Sequence, residues 1–217
     1  MNIDLVIFDL GPQLLQAGPR TEASVEAAFV WTELGDVDDE EIPTAFAFSQ
    51  LRALREVRGV SSAFSSLRAA GMQIAIATGC SRSTAAGVLT RLGWNGLVDI
   101  VVSAEDAEGC RPSSMLVRAA MARGGVPSPK RVAKVADTPA GLLEGYAAGC
   151  GVLIAVEQAT PDDDDDDLLL YPHTHRLATA SLVPELLRRR DGARPITEAA
   201  TASSRAQRAA SSARDRT

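Results

Sequence analysis

Five short apolar runs punctuate the chain: "DLVIFDL" (4–10), "QIAIATG" (73–79), "DIVVSAE" (99–105), "RVAKVAD" (131–137) and "GVLIAVE" (151–157). None alternates strictly, as expected of strands covered on both faces. Helical patterns lie between them. "SSAFSSLRAAG" puts Val60, Phe64 and Leu67 on one face and stops at Gly71, and "SRSTAAGVLTRLG" opens on serine caps and closes at Gly93. "PSSMLVRAAMARGG" begins at Pro112 and ends in a glycine pair. "TPAGLLEGYAAG" offers Thr138 as cap, Pro139 at a first helical position and Gly149 as stop. Strands alternating with helices specify an α/β fold, a Rossmann-like doubly wound parallel sheet.

One insertion interrupts the alternation. Between Gly11 and Arg58, "TEASVEAAFVWTELG" (21–35) and "IPTAFAFSQLRALREV" (42–57) both look helical, joined by the acidic turn "DVDDEE". Such a piece either lies over the carboxyl edge of the sheet as a cap or packs beside the sheet as a hairpin. "TPDDDDDD" (160–167) reads as a solvated loop, because six successive Asp repel one another and contiguous acids do not converge on one Ca²⁺. From Asp191 onward the chain is mostly Ala, Ser, Thr and Arg and reads as a disordered tail.

Composition narrows the function. The 217 residues support one core with a small accessory piece. The net charge is −6, but Arg188 to Thr217 carries eight Arg against Asp191, Glu198 and Asp215, a net of +5, which leaves −11 on the rest. An acidic body argues against nucleic acid as the main partner. No apolar run approaches the roughly 20 residues that span a bilayer, so no membrane partner is expected. "MNIDLVIFDL" has no basic region typical of a secretory signal. Cys80, Cys110 and Cys150 form neither a disulfide framework nor a CxxC pair, which fits a reduced, cytoplasmic setting. His173 and His175 share a strand face without a third ligand and read as a structural strand entry.

Polar residues fall at the strand ends. The first strand finishes on Asp9, followed by Gly11. The second finishes on Thr78 and Gly79, where a helix starts. Arg111 follows the third, and Asp137 ends the fourth. In a parallel sheet all these positions share one edge. The set suits phosphoryl transfer. Asp9 would attack, Thr78 and nearby amides would hold phosphate oxygens, Arg111 would neutralise charge, and Asp137 with Asp9 would hold Mg²⁺.

The order "VIFDL … IATG … CRP … VADT" resembles the haloacid dehalogenase superfamily of aspartyl-nucleophile hydrolases. "TGCSRSTAAGVLTRLGW", "SAEDAEGCRPSSMLVRAAM", "VADTPAGLLEGYAAG" and "YPHTHRLATASLVPELL" are similar to stretches of its phosphonatase-like group. The resemblance implies a core over 1–18 and 58–187 and a shortened helical cap over 19–57, and composition leaves a disordered basic tail over 188–217. The resemblance also implies Asp9 as nucleophile, Thr78 and Arg111 as phosphate ligands, Asp9 and Asp137 as Mg²⁺ ligands, and substrate contacts at Gly79 and Gly11. The partner would be a small phosphorylated metabolite, and a homodimer is allowed.

The chain departs from the family's first motif, Asp-x-Asp-Gly-Thr or Asp-x-Ala-Gly-Thr. Gly11 stands where a second Asp acts as general acid and base, Pro12 and Gln13 replace Gly and Thr, Cys110 stands for a Gly, and Gly141 for an acid. Three functions follow: a Mg²⁺-dependent hydrolase of small phosphate esters, a degenerate fold kept as a binding, regulatory or accessory module, and an active enzyme without the general acid. Schiff-base cleavage of phosphonoacetaldehyde is not expected. The two lysines, Lys130 and Lys134, lie around the fourth core strand, and Gln50 stands about where relatives carry the cap lysine.

Overall fold

Strand β1 (Leu5–Asp9) is hydrogen-bonded on both edges, to β4 (Gln73–Ala77) and to β6 (Val132–Ala136), parallel in each case. A strand so placed has no solvent face, which is why Leu5, Val6, Ile7 and Phe8 are all fully buried. The computed structural model describes residues 2–17, 54–106, 114–157, 168 and 170–190. Within them, β5 (Ile100–Val102), β7 (Val152–Val156) and β8 (His175–Leu177) complete a six-stranded parallel sheet in the order β5-β4-β1-β6-β7-β8. The chain builds outward from β1 to β4 and β5, then crosses to β6 on the other side. That crossover makes a switch point at the carboxyl ends of β1 and β6.

Helices α1 (Val60–Ala69), α2 (Arg82–Leu92) and α5 (Val183–Arg190) cover the face that carries Val6 and Phe8. Phe64 stands between Phe8 and Trp94, both ring centroids 5.1 Å away. Helices α3 (Met115–Gly124) and α4 (Pro139–Ala148) cover the face that carries Leu5 and Ile7. The expected stops form as left-handed glycines, at Gly93 (φ 71°) and Gly149 (φ 80°) among others. No helix of the described residues is long and apolar enough to cross a membrane.

Two expected boundaries move. The helix expected over 42–57 gives way at its end to β3 (Leu54–Glu56), which pairs antiparallel with β2 (Leu15–Ala17). Leu14, Leu15 and Leu54 are buried in the core, so this ribbon anchors both ends of the insertion, and non-local pairing overrides the helical pattern. The remainder of the expected cap lies outside the described residues, as do the acidic run and the chain beyond Arg190. Arg188 to Arg190, expected in the tail, belong to α5. His175 lies in β8, and the ring Nδ1 of His173 is 2.9 Å from the Tyr171 carbonyl oxygen, in keeping with a structural strand entry.

Candidate active site

At the end of β4, Thr78 is buried and its Oγ1 accepts from the Cys80 amide (3.0 Å), which leaves the hydroxyl proton to donate. Gly79 follows, half-buried. Ser81 caps α2, its Oγ accepting from the Thr84 amide (3.2 Å). The first helical amide, that of Arg82, donates to the exposed carboxylate of Glu105 at 2.9 and 3.1 Å. The Ser103 hydroxyl (2.5 Å) and then this amide hold the Glu105 carboxyl below its ordinary value. An internal anion thus occupies part of the helix N-terminus that the sequence offered to phosphate.

Across the sheet, Asp9 ends β1 and Asp137 follows β6, and both are buried. The turn after β1 folds Gln13 over them. Its amide donates to Asp137 Oδ2 (2.8 Å), and its Nε2 donates to the carbonyls of Asp9 (3.0 Å) and Val135 (3.2 Å). Burial, and after it the Asp9 charge, push the Asp137 carboxyl up to about 6. A Cβ on Gly11 would stand 3.4 Å from Asp137 Oδ1, so the turn has room for a side chain there, and it would meet Asp137.

Beneath Asp9 lies a group that the sequence reading left as an ordinary core lysine. Lys134 is in register with Ile7 on β1 and Leu153 on β7, and its side chain is 0% exposed. Its ammonium forms an ion pair with Asp9 Oδ1 and stands 3.7 Å from Oε2 of the fully buried Glu144 on α4. Two glycines let the helix lie down on this pair. A Cβ on Gly145 would be 2.8 and 2.9 Å from Lys134 Cγ and Cβ, and one on Gly141 would be 2.0 Å from Asp9 Oδ2. A side chain at position 141 is therefore sterically excluded while Asp9 keeps this rotamer. Lys130 lies in the turn Pro129–Arg131 before β6, at the opposite edge of the sheet.

The structure therefore brings Asp9, Gly11, Thr78, Gly79 and Asp137 to one edge, at the ends of the three adjacent strands β4, β1 and β6. Arg111 lies outside the described residues. The donor set fits a divalent cation poorly. Asp9 Oδ1 is held by an ammonium and Asp137 Oδ2 by an amide, and no three His, Cys, Asp or Glu side chains converge among the described residues.

The sequence profile of haloacid dehalogenase-like hydrolases matches residues 46–155, a little over half of the chain. The chain belongs to this family. The match begins after β1 and does not include Asp9. Among solved structures, a haloacid dehalogenase-like protein from Agrobacterium tumefaciens is 20% identical, with a TM-score of 0.65 over 88% of this chain and 100% of that one. A phosphonoacetaldehyde hydrolase-like protein from Oleispira antarctica is 17% identical (TM-score 0.64; 90% and 96% covered). A subfamily IA hydrolase from Geobacter sulfurreducens is 15% identical (TM-score 0.59; 85% and 96% covered). At these identities the likeness is one of fold. No curated protein matches in sequence. Enzymes of the superfamily generally use Mg²⁺.

Lys134, Glu144 and Gln13 are the site residues that the strand-end pattern missed. A signal for the first two was present: one lysine inside "RVAKVAD", then an acid between a leucine and a glycine in "GLLEG".

Proposed function

We propose that this hydrolase-family member cleaves small phosphate monoesters, with Asp9 as nucleophile. The observation that carries the reading is the convergence of Asp9, Thr78 and Asp137 on the switch point of the sheet. A carboxylate oxygen of Asp9 attacks phosphorus, the ester P–O bond breaks, and water then hydrolyses the acyl phosphate to release phosphate and restore Asp9. Thr78 donates its hydroxyl proton to a phosphate oxygen, with the Gly79 and Gly11 backbone beside it. Arg111, by resemblance, neutralises the transferring group.

The departing oxygen needs a proton, and Gly11 cannot supply it. Asp137 stands beside that position with its carboxyl raised to about 6, and in this reading it fills the role. The Mg²⁺ ligand pair expected from the sequence is Asp9 with Asp137, and the ammonium on Asp9 weighs against it. Motif likeness supports placement near the phosphonatase-like group, but the positions of Lys130 and Lys134 do not suit its Schiff-base chemistry. The insertion between β2 and β3 would select the substrate.

A panel of small phosphate monoesters, with phosphonoacetaldehyde included, tests the reading. Turnover of at least one ester is expected. Asp9→Asn should lower it by about 10³-fold or more, and kcat should fall as pH rises through about 6, where Asp137 loses its proton. Turnover unchanged in Asp9→Asn removes the nucleophile. A flat panel favours the alternative, a binding, regulatory or accessory module, to which the loss of the acid at Gly11 points.

A further inference from the structure

We propose that Lys134 is the resident cation of the site, its ammonium holding Asp9 in the place that the family gives to Mg²⁺, so that this protein takes up divalent cations only weakly at Asp9. The inference rests on the reading above only for the identity of Asp9 as nucleophile.

Its basis is the way the surrounding fold is shaped to the lysine. The stem runs between Ile7 and Leu153, its register neighbours on the flanking strands, with Gly145 laid directly on its Cβ and Cγ. Any larger residue at 145 would collide with it, and any larger residue at 141 would collide with Asp9. Glu144, from the same helix, is also fully buried and stands 3.7 Å from the ammonium. A lysine 0% exposed and enclosed in this way cannot swing to water when a metal ion arrives. A metal at Asp9 would have to share the carboxylate with an ammonium in contact with it, and like charges so close repel strongly in a site of low polarity. The ammonium also matches the job: it sets a positive charge against Asp9 and fixes one of its carboxylate oxygens.

The test titrates Mn²⁺ alone, followed by electron paramagnetic resonance, into wild type, Asp9→Asn, Lys134→Met, Lys134→Met/Glu144→Met and Lys134→Met/Asp9→Asn. The double Met variant removes one positive and one negative charge together, so a folded comparator exists if the single variant unfolds. The Asp9→Asn variant subtracts ions held elsewhere, the run Asp162 to Asp167 included. The expected result is an Asp9-dependent site at least about tenfold tighter in the Met variants than in wild type. Equal affinity in wild type and the Met variants overturns the inference, as does a wild-type Mn²⁺ site that Asp9→Asn abolishes at micromolar affinity. Because no substrate is present, an inactive esterase panel leaves these outcomes readable.

Discussion

Two internal counter-charges sit at the carboxyl edge of the sheet, and they differ in their access to water. At the start of α2, the carboxylate of Glu105 occupies the first helical amide, but the residue is exposed. Beneath β1, the ammonium of Lys134 occupies Asp9, and its side chain is wholly buried. In the proposed reaction an incoming phosphate would displace the first, because Glu105 regains full hydration when it leaves. Nothing can displace the second without opening the contact between α4 and the sheet. An exposed counter-charge is a placeholder for a ligand; a buried one belongs to the fold and sets what the site can hold.

The largest expected effect breaks the buried side of this contrast. Lys134→Met should cost about 3–5 kcal/mol in urea unfolding, because Asp9 and Glu144 stay buried without their cation. Lys134→Met/Glu144→Met should recover at least half of that loss. A cost under about 1 kcal/mol in the single variant would mean that the pair is dispensable to the fold.

Asp137 gives an intermediate effect with a defined sign. Its carboxyl lies at about 6 in the native state against an ordinary 3.8, so the native state binds more protons than the unfolded state between those values. Stability therefore falls as pH rises through that window, and the deficit is complete above it. Asp137→Asn should be about 1–3 kcal/mol more stable than wild type at pH 8. Most of the gain should be lost by pH 4. A pH-independent gain would trace to packing instead of charge.

The smallest effect sharpens the exposed side. Glu105→Gln removes a negative charge from the helix N-terminus and should lower KM for a phosphate ester by about two- to fivefold with kcat unchanged. A raised KM would show that Glu105 organises the loop instead of standing in for the ligand.

The two sides also differ in how far they could be read from sequence. The Ser81 cap and its Thr84 partner are three residues apart, and Thr78 and Cys80 two. Such contacts follow from local geometry, and so do the Thr138 cap, Pro139 and the Gly149 stop. The ribbon of β2 and β3 was not legible, because residues 54–56 carry a helical pattern and find their partners far earlier in the chain, where Leu15 pairs with Glu56 and Ala17 with Leu54. Leu54 to Ala17 is a separation of 37 residues, and Glu56 to Leu15 one of 41.

What the sequence by itself determined is the α/β alternation, the helix ends and the presence of Asp9, Thr78 and Asp137 at strand ends, because periodicity, caps and strand termini are properties of short segments. Only the tertiary structure decided which charges meet. Lys134 and Asp9 are 125 residues apart, and Gln13 and Asp137 are 124. Strand order places β6 beside β1, register sets Lys134 level with Ile7, and the glycines of α4 admit the pair. A buried ammonium is stable only where such neighbours surround it, and that enclosure exists in no segment taken alone.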